Sequence, residues 1–370
     1  MDKSIGQNLD VWKELRKDIT PESEIRMWDI YGGRQWVLKY VPRFGKIIEA
    51  GCGMGRYDFY LSKLGFNIEG VDFDYELINY LEDWQKNRNI NTKFVFSNIS
   101  KLPYEDNSLN CCISIGVVEH FIEGPYLPIS EFYRVLKPGG IAIIATPSIH
   151  FANAFHHLKL KIRNYLKKIF RLNLEDSPFF QYWIRPRRLK KEVEKSGLKV
   201  TRFCGLDLLY PFYEIGNRKS NNINPKSFSV FIANLFENTF LANFGAQSYT
   251  VSYKPGTDML CFLCGENKSS EISLSKYDVP ICSDCQEKAQ SKYYKKGKAV
   301  KLSLPYLIKP PVKPVTEELC EYCGVKYNSD ELFEDFGFSK KVCPSCLKNI
   351  DINIELSNKF VKPIWRKRHN

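Results

Sequence analysis

The sequence has no long apolar run, and it has fewer acidic than basic residues. No stretch of about 18 apolar residues, the length that a membrane-spanning helix needs, occurs in the 370 residues. The amino-terminal MDKSIGQNLD lacks the apolar core of a signal peptide. Asp and Glu number 42 against 54 Lys and Arg, a formal net charge of +12, which favours nucleic acid, phosphorylated substrates or an anionic membrane surface as partners. We therefore expect a cytoplasmic protein that is at most peripheral to a membrane.

The composition is that of a globular protein with a substantial core. Apolar residues make up 44% of the chain and charged residues 26%, and the length suffices for one domain of ordinary size and a smaller one. Eight of the 12 cysteines fall in four C-x-x-C pairs after residue 260. In an intracellular chain, cysteines paired at this spacing are more often metal ligands than disulfides.

One short stretch, KIIEAGCGMGR from Lys46 to Arg56, joins an apolar run to an acid and three glycines on alternate positions. A short apolar run is typical of a buried parallel strand. Glycine allows positive φ and a close approach of the backbone to a ligand. The third glycine comes one residue too early for the dinucleotide-binding G-x-G-x-x-G. The stretch therefore predicts a different ligand-holding turn between a strand and a helix.

Strands alternate with helices after this turn, which indicates a doubly wound α/β sheet. The sequence Lys137-Pro138-Gly139-Gly140 predicts a turn between a helix and the fifth strand. Asp72 ends the second strand, 21 residues after Gly51, where an acid can accept hydrogen bonds from both hydroxyls of a ribose. A surface turn aspartate is the alternative. The strands predicted after the first are Asn67 to Phe73, Lys93 to Ser97, Leu109 to Ile115, Ile141 to Thr146, Leu198 to Phe203 and Gln247 to Lys254.

Five motifs occur in the order and at the distances of a known family: EAGCGMG (49–55), GVDFD (70–74), NISKLPYEDNSLN (98–110), GVVEHF (116–121) and RVLKPGGIAIIATP (134–147). Over roughly residues 30 to 255 the chain resembles class I S-adenosylmethionine-dependent methyltransferases, in the branch with ubiquinone and menaquinone biosynthesis methyltransferases. The resemblance implies a seven-stranded Rossmann-like sheet and S-adenosyl-L-methionine as the cofactor. The cofactor-binding residues that it implies are Glu49, Gly51, Gly53, Gly55, Asp72, Phe73, Asn98, Ile99 and Gly116.

Within that resemblance, the glycine loop faces the methionine part of the cofactor and Asp72 binds its ribose. Asn98 contacts the adenine amino group and Ile99 packs on the adenine ring. The family more often has Asp at the position of Asn98, and an acid at that of Asn110, so the chain departs from the pattern at two positions. Asparagine keeps an acceptor oxygen for the adenine contact.

Methyl transfer to oxygen requires a base for the hydroxyl proton, and histidine suits this at neutral pH. His120 follows the fourth strand at the ligand-binding edge of the sheet and is the first candidate; a structural role is its alternative. His150, after the fifth strand, is the second. The Asn/Asp-Pro-Pro-aromatic segment of methyltransferases that act on exocyclic base nitrogens is replaced here by Ile115-Gly116-Val117-Val118, which counts against adenine or cytosine amino groups as acceptors.

A basic insertion follows the fifth strand. From Ser148 to Asn173 it has six Lys and Arg and no acid, and its apolar residues recur at helical spacing. A helix over residues 155–171 can lie on an anionic membrane surface or cover a phosphate- or lipid-bearing substrate. A lid packed on the domain, with its basic face in solvent, is one alternative. Contact with a partner protein or nucleic acid is the other.

The carboxyl-terminal cysteines form two similar sets of four. Each set fits a tetrahedral structural zinc site, with disulfides or an iron–sulfur cluster as alternatives. Each unit is too small to fold on an apolar core alone, so zinc would supply folding energy. RNA or protein docking are open roles for this module. The predicted ligands of two Zn²⁺ are Cys261, Cys264, Cys282 and Cys285 in the first set and Cys320, Cys323, Cys343 and Cys346 in the second.

The predicted function is methyl transfer from S-adenosyl-L-methionine to the oxygen of a small-molecule, sugar or lipid-linked acceptor. The alternative is an RNA- or ribosome-associated methyltransferase whose zinc module docks RNA or protein. The predicted organisation is a helical cap (1–45), a methyltransferase domain (46–257) that includes the basic insertion (148–182), a first four-cysteine zinc unit (258–290), a Lys/Pro-rich linker (291–316), a second four-cysteine zinc unit (317–350) and a basic tail (351–370).

Overall fold

A computed structural model of the chain describes the elements around the predicted sheet and the first cysteine set. His150, the helix predicted over 155–171 and the cysteines of the second set lie outside the described residues. None of the described helices is long and apolar enough to cross a membrane. The described residues are 9–27, 33–42, 44–86, 90, 92–149, 179–206, 245–267, 272–274, 279–285, 317–319, 326–328, 333–335 and 340–342.

Seven helices and seven sheet strands make up the described α/β part. The helices are α1 (Leu9–Arg16), α2 (Pro21–Met27), α3 (Gly33–Tyr40), α4 (Arg56–Lys63), α5 (Tyr75–Gln85), α6 (Tyr126–Val135) and α7 (Pro186–Lys195). The strands are β1 (Ile47–Ala50), β2 (Ile68–Asp72), β3 (Lys93–Phe96), β4 (Leu109–Ile115), β5 (Leu136–Pro147), β6 (Lys199–Leu206) and β7 (Gln247–Tyr253).

The strands form one sheet in the order β3-β2-β1-β4-β5-β7-β6. The first five are parallel, and β7 is antiparallel to both β5 and β6. The predicted seven-stranded α/β sheet is confirmed. Because parallel strands bring their carboxyl ends to one edge, the turns after β1, β2 and β4 lie together there.

The sheet is buried on both faces. All four residues of β1 are buried, and they alternate between two apolar clusters: Ile47 packs with α3 and α4, and Ile48 with α6 and α7. This double burial explains why the parallel strands are apolar runs and not alternating patterns.

The turn predicted at Lys137-Pro138-Gly139-Gly140 is instead the first part of β5. The Gly139 N–H donates to the Lys254 carbonyl at 2.8 Å, and the Pro138 carbonyl accepts from the Leu260 N–H at 2.9 Å. The turn prediction was wrong because the chain after β7 returns to this segment and pairs with its backbone. Gly139 has φ of 82°, and a Cβ there would lie 2.5 Å from the Leu260 nitrogen, so no side chain fits.

The first cysteine unit shares the core of the sheet. It carries a hairpin of β8 (Ile272–Leu274) and β9 (Pro280–Cys282). Phe262 and Ile281 belong to the same apolar cluster as Ile47 and Ile141. Near Pro138 and Gly139 this unit contacts the amino-terminal side of the sheet, the edge opposite the glycine turn. Two further hairpins are β10 (Glu317–Leu319) with β11 (Lys326–Asn328), and β12 (Phe333–Asp335) with β13 (Lys340–Val342).

Candidate functional site

The glycine turn after β1 has an open, left-handed backbone. Gly51, Gly53 and Gly55 have φ of 83°, 52° and 75°, which other residues rarely adopt. A Cβ on Gly51 would meet Val117 at 2.4 Å, whereas one on Gly53 would meet nothing within 4 Å. The Gly51 N–H donates to the Val71 carbonyl at 2.7 Å and ties the turn to β2. The turn is therefore fixed at its base and open at its tip, as a ligand cradle requires.

Glu49 lies beneath this turn and faces Asp58, which enters from the first turn of α4. The two side chains are 3% and 0% exposed. Neither Glu49 Oε2 nor either Asp58 oxygen receives a hydrogen bond from an N–H or O–H of the described residues. Burial raises the pKa of Glu49 well above its ordinary value, and the Asp58 charge raises it further. Burial also raises the pKa of Asp58, to about 7.

Asp72 joins the glycine turn to the end of β2. Its Oδ2 accepts from the Gly53 N–H and its Oδ1 from the Asp74 N–H, both at 3.1 Å. The side chain is 5% exposed, unlike that of a surface turn aspartate. Burial raises the pKa of Asp72, and Arg16 opposes that shift. Phe73 follows it and is half-buried. A buried acceptor thus stands next to the open turn.

Asn98 and Ile99 follow β3 at the same edge. Asn98 Oδ1 accepts twice from Ser100, from its N–H and from its hydroxyl, each at 2.9 Å. With both acceptor positions used, the group that Asn98 offers to a ligand is its NH₂ donor. Ile99 is 5% exposed within the apolar cluster of β4 and β5. The acceptor contact expected of Asn98 therefore requires Ser100 to give up a hydrogen bond.

Gly116 and His120 lie in the turn after β4, which ends in a short 3-10 helix from Val118 to His120. Gly116 has φ of 74°. His120 Nδ1–H donates to the Phe180 carbonyl at 2.8 Å, which leaves Nε2 as the basic nitrogen. Burial lowers the pKa of His120 to about 4. His120 is therefore neutral at neutral pH.

Glu119 is the neighbour of His120 and is fully buried. Its Oε1 lies 3.6 Å from His120 Nε2. Neither carboxyl oxygen has a hydrogen-bond partner among the described residues. Burial raises the pKa of Glu119 to about 8. Glu119 and His120 thus form an uncharged acid and an uncharged base side by side.

Helix α1 lies across this edge. Trp12 packs edge-on against His120, with ring centroids 4.6 Å apart, and also contacts Phe180 at 5.7 Å. Arg16 donates to Asp74 Oδ2 at 2.7 Å, where Asp74 caps the amino terminus of α5. The helix therefore bridges the side of the site that holds Asp72 and the side that holds His120.

The sequence prediction missed Asp58, Glu119, Trp12 and Phe180. Asp58 lies on an otherwise apolar helix face, three residues after Gly55, and Glu119 lies inside the GVVEHF motif, so both were adjacent to predicted site residues. Trp12 and Phe180 had no such signal, because their contacts with His120 join residues far apart in the sequence.

The first cysteine set is a second candidate site, at the opposite edge of the sheet. The sulfur atoms of Cys261, Cys264, Cys282 and Cys285 all lie within 4.8 Å of one another, and none of these residues forms a disulfide. Four thiolates on a tetrahedral Zn²⁺ are about 3.8 Å apart, from a zinc–sulfur distance of about 2.3 Å. The separation of the Cys264 and Cys282 sulfurs is 4.0 Å. The donor set and its spacing fit zinc.

Comparison with known proteins agrees with the carboxyl-edge site. A sequence profile of the family described as "Methyltransferase domain" matches residues 48–144. The chain is 28% identical over 102 residues to a "Probable S-adenosylmethionine-dependent methyltransferase" of Mycolicibacterium smegmatis, covering 28% of this chain and 38% of that protein. It is 24% identical over 161 residues to the ubiquinone biosynthesis O-methyltransferase of Rickettsia bellii, and the match covers 44% of this chain and 64% of that protein. The matched part of the chain thus spans under half the length of the mycobacterial relative.

Among solved structures, one is a SAM-dependent methyltransferase of Methanosarcina mazei, whose sequence is 19% identical to this chain. The aligned region covers 60% of this chain and 97% of that protein, with a TM-score of 0.42. The family profile covers β1 to β5, including the glycine turn, Asp72 and Glu119. Residues 48–144 of this chain are therefore similar to a methyltransferase domain.

Proposed function

We propose that the chain transfers a methyl group from S-adenosyl-L-methionine to an acceptor. The observation that carries this proposal is the open glycine turn held between two buried acids, Glu49 and Asp72. A cofactor with an ammonium group and a ribose fits this arrangement. Glycines permit a close approach, Glu49 Oε2 is a buried acceptor with no hydrogen-bond partner among the described residues, and Asp72 is an anchored acceptor.

When bound, the cofactor supplies an electrophilic methyl group on a sulfonium. The residues of the chain would hold it in place: Glu49 and the glycine turn its methionine part, Asp72 and Phe73 its ribose, and Asn98 and Ile99 its adenine. Positioning accounts for much of the catalysis of such a transfer. Isothermal titration of the full chain tests this; heat of binding for S-adenosyl-L-methionine is expected, and its absence contradicts the proposal.

We infer that His120 is the base for an oxygen acceptor. It is neutral at neutral pH, which is the form that can accept a proton, and its Nδ1–H is held by the Phe180 carbonyl, which aims the basic Nε2. A cation formed at Nε2 would lie 3.6 Å from the Glu119 carboxyl. His150 stays a prediction, since it lies outside the described residues.

The acceptor class that we favour is lipid-linked or otherwise amphiphilic. Three apolar side chains beside the His120 turn, Ile122, Tyr126 and Leu127, are 45%, 47% and 45% exposed; we term them the apolar patch. Exposed aliphatic side chains next to cations are typical of surfaces that meet lipid.

Cations of α7 border the apolar patch. Lys195 Nζ lies 5.9 Å from the Tyr126 ring centroid. The Arg188 guanidinium lies 6.0 Å from that of Tyr182, whose hydroxyl donates to the Ile122 carbonyl at 2.6 Å. The apolar patch and these cations together make a surface that suits an anionic amphiphile. Residues 155–171, predicted to contact an anionic membrane, lie outside the described residues.

Incubation of the protein with a cell extract and methyl-labelled cofactor identifies the acceptor. We expect label in the lipid or sugar fraction. Label confined to RNA contradicts this acceptor class and supports the RNA-associated alternative. Leu127→Ser is a suitable comparison, because its side chain is exposed and the change should lower labelling of lipid while cofactor binding is unchanged.

We propose further that Cys261, Cys264, Cys282 and Cys285 hold one structural Zn²⁺ and that the second cysteine set holds another. The sulfur spacing of the first set supports this, and four thiolate ligands leave no open position for catalysis. Elemental analysis should give two zinc per chain, and one in a variant with Ser at Cys320, Cys323, Cys343 and Cys346. Fewer than two in the unmodified protein contradicts the assignment.

A further inference from the structure

The buried carboxyl pair of Glu49 and Asp58 occupies one spot beneath the glycine turn. Glu49 is the register partner of Gly70 on β2. A Cβ on Gly70 would lie 2.6 Å from the Phe94 ring and 3.0 Å from Asp58 Oδ2. The absence of a side chain at Gly70 therefore leaves room for both Phe94 and the second acid. Both carboxyls are at least nine-tenths buried.

Apart from Arg56, the groups of the described residues near this pair are acidic or uncharged. The Asp72 charge of β2 raises the pKa of Asp58, and the Cys52 thiol of the turn stays uncharged because burial and the nearby Asp58 raise its pKa. From α4, the cation of Arg56 acts on Glu49, but Arg56 also pairs with Glu24 of α2, from Nε to Oε2 at 2.6 Å. The Asp58 charge also acts on Tyr104, which donates its hydroxyl to Glu69, an acid that pairs with Lys46 and Lys93.

Two carboxylates in contact and away from water do not both ionise, because their repulsion and desolvation favour retention of a proton. A hydrogen bond between them requires that proton, since no N–H or O–H of the described residues serves Glu49 Oε2 or either Asp58 oxygen. The raised pKa of each group agrees with this geometry.

We propose that Asp58 is a positioning residue of the cofactor site, which shares one proton with Glu49 in the free protein and loses it to solvent when the cofactor binds. The inference rests on the proposed function. The positive charge of the cofactor takes the place of the proton, so the number of charges is balanced: one proton leaves to the buffer and one cationic ligand enters. No bond of the cofactor is made or broken.

Titration calorimetry at pH 6.5 in two buffers of different ionisation enthalpy measures the protons released. We expect release approaching one proton per cofactor, because the raised pKa of the pair keeps it protonated at pH 6.5, and a Kd that decreases by up to about tenfold per pH unit as the pH rises while the pair stays protonated. S-adenosylhomocysteine, which keeps the ammonium group but lacks the sulfonium charge, should also release a proton if the ammonium group displaces it.

Asp58→Asn should lower the proton release and weaken the pH dependence of Kd, because it removes the Asp58 charge while the burial that also raises the pKa of Glu49 remains. Asp83→Asn, at an exposed carboxylate paired with Lys86, should change neither. A purely structural role for Asp58 would leave the proton count of any folded variant intact. Since Asp58→Asn can fail to fold, the count for the unmodified protein decides by itself. Cofactor binding without proton release at pH 6.5 overturns this inference alone, whereas no cofactor binding overturns the proposed function.

Discussion

The two edges of the sheet differ in what they bury. The carboxyl edge buries three acids, Glu49, Asp58 and Glu119, whose carboxyl oxygens include five that receive no hydrogen bond from an N–H or O–H of the described residues. The amino edge buries Phe262, Ile281 and the cysteine hairpin in the same apolar cluster as β1. Unpaired buried acids destabilise a fold, while apolar burial stabilises it. We infer that the amino edge stabilises a sheet whose carboxyl edge is arranged for chemistry.

Loss of a zinc ligand at the amino edge should have the largest effect. Cys282 is fully buried, so Cys282→Ser should remove the metal and lower the free energy of unfolding by about 3 kcal/mol or more, since structural zinc contributes folding energy directly. Thermal melts followed by circular dichroism and zinc analysis measure this. Cys204→Ser, outside the cysteine set, is the control. An unchanged melting temperature after zinc loss would contradict the inference that the amino edge stabilises the sheet.

At the carboxyl edge, His120→Ala should lower kcat by about 10² to 10⁴-fold, the usual contribution of a general base. The cofactor Kd should stay the same, because His120 contacts Phe180, Trp12 and Glu119 and not the glycine turn. His120→Asn is the control, since its amide nitrogen takes the place of Nδ1 and can still donate to the Phe180 carbonyl. If Asn restores turnover, the hydrogen bond and not the base is what matters.

Asp72→Ala should weaken cofactor binding by about 10 to 100-fold, corresponding to about 1.5–3 kcal/mol for hydrogen bonds to a charged group. The change also removes the acceptor for the Gly53 and Asp74 N–H groups. Asp72→Asn keeps one acceptor oxygen but removes the charge. Comparison with Asp72→Ala therefore separates the effect of the lost hydrogen bonds from that of the lost charge. Calorimetry measures Kd. Equal Kd values for Ala and the unmodified protein would place the ribose elsewhere.

Glu119→Gln should stabilise the free protein above pH 5. The pKa of Glu119 is about 8 in the folded chain, above its ordinary 4.5, so the stability that Glu119 contributes is present below pH 4.5 and is lost as the pH rises toward 8. Gln has no such loss. Between pH 4.5 and 8, the difference in the free energy of unfolding between Glu119→Gln and the unmodified protein should therefore grow by up to about 1.4 kcal/mol per pH unit. Urea unfolding at pH 5, 6.5 and 8 measures it; a constant difference contradicts the pKa shift.

The sequence alone predicted the parts of the molecule whose signal is local. The glycine turn and the five parallel strands follow from short apolar runs and from glycines at fixed spacing. The same local signal misplaced the start of β5, since Pro138 and Gly139 are typical of a turn unless a distant segment supplies hydrogen bonds to them. Leu260 and Lys254 do so. Long-range contact, and not propensity, decided the structure there.

Local sequence signals likewise predicted only some of the residues of the candidate site. Glu49, Asp72 and Gly116 were identifiable because each lies in the last two residues of a strand or directly after one. Asp58 was not, because its role depends on Gly70 of the neighbouring strand, which leaves the space beneath the turn. The two hydrogen bonds from Ser100 to Asn98 Oδ1 could not be predicted either. The sequence shows that Asn98 has an acceptor oxygen, but it does not show which donors that oxygen already binds.

The packing of Leu260 against Gly139 has a consequence for the order of events during synthesis. The core cluster that contains Ile47 and Ile141 also contains Ile281 and Cys282, which leave the ribosome well after them. At about 5–20 residues per second, the nascent chain holds an incomplete core for several seconds after β5 has been made. The core of the sheet is then complete only once the hairpin has been made.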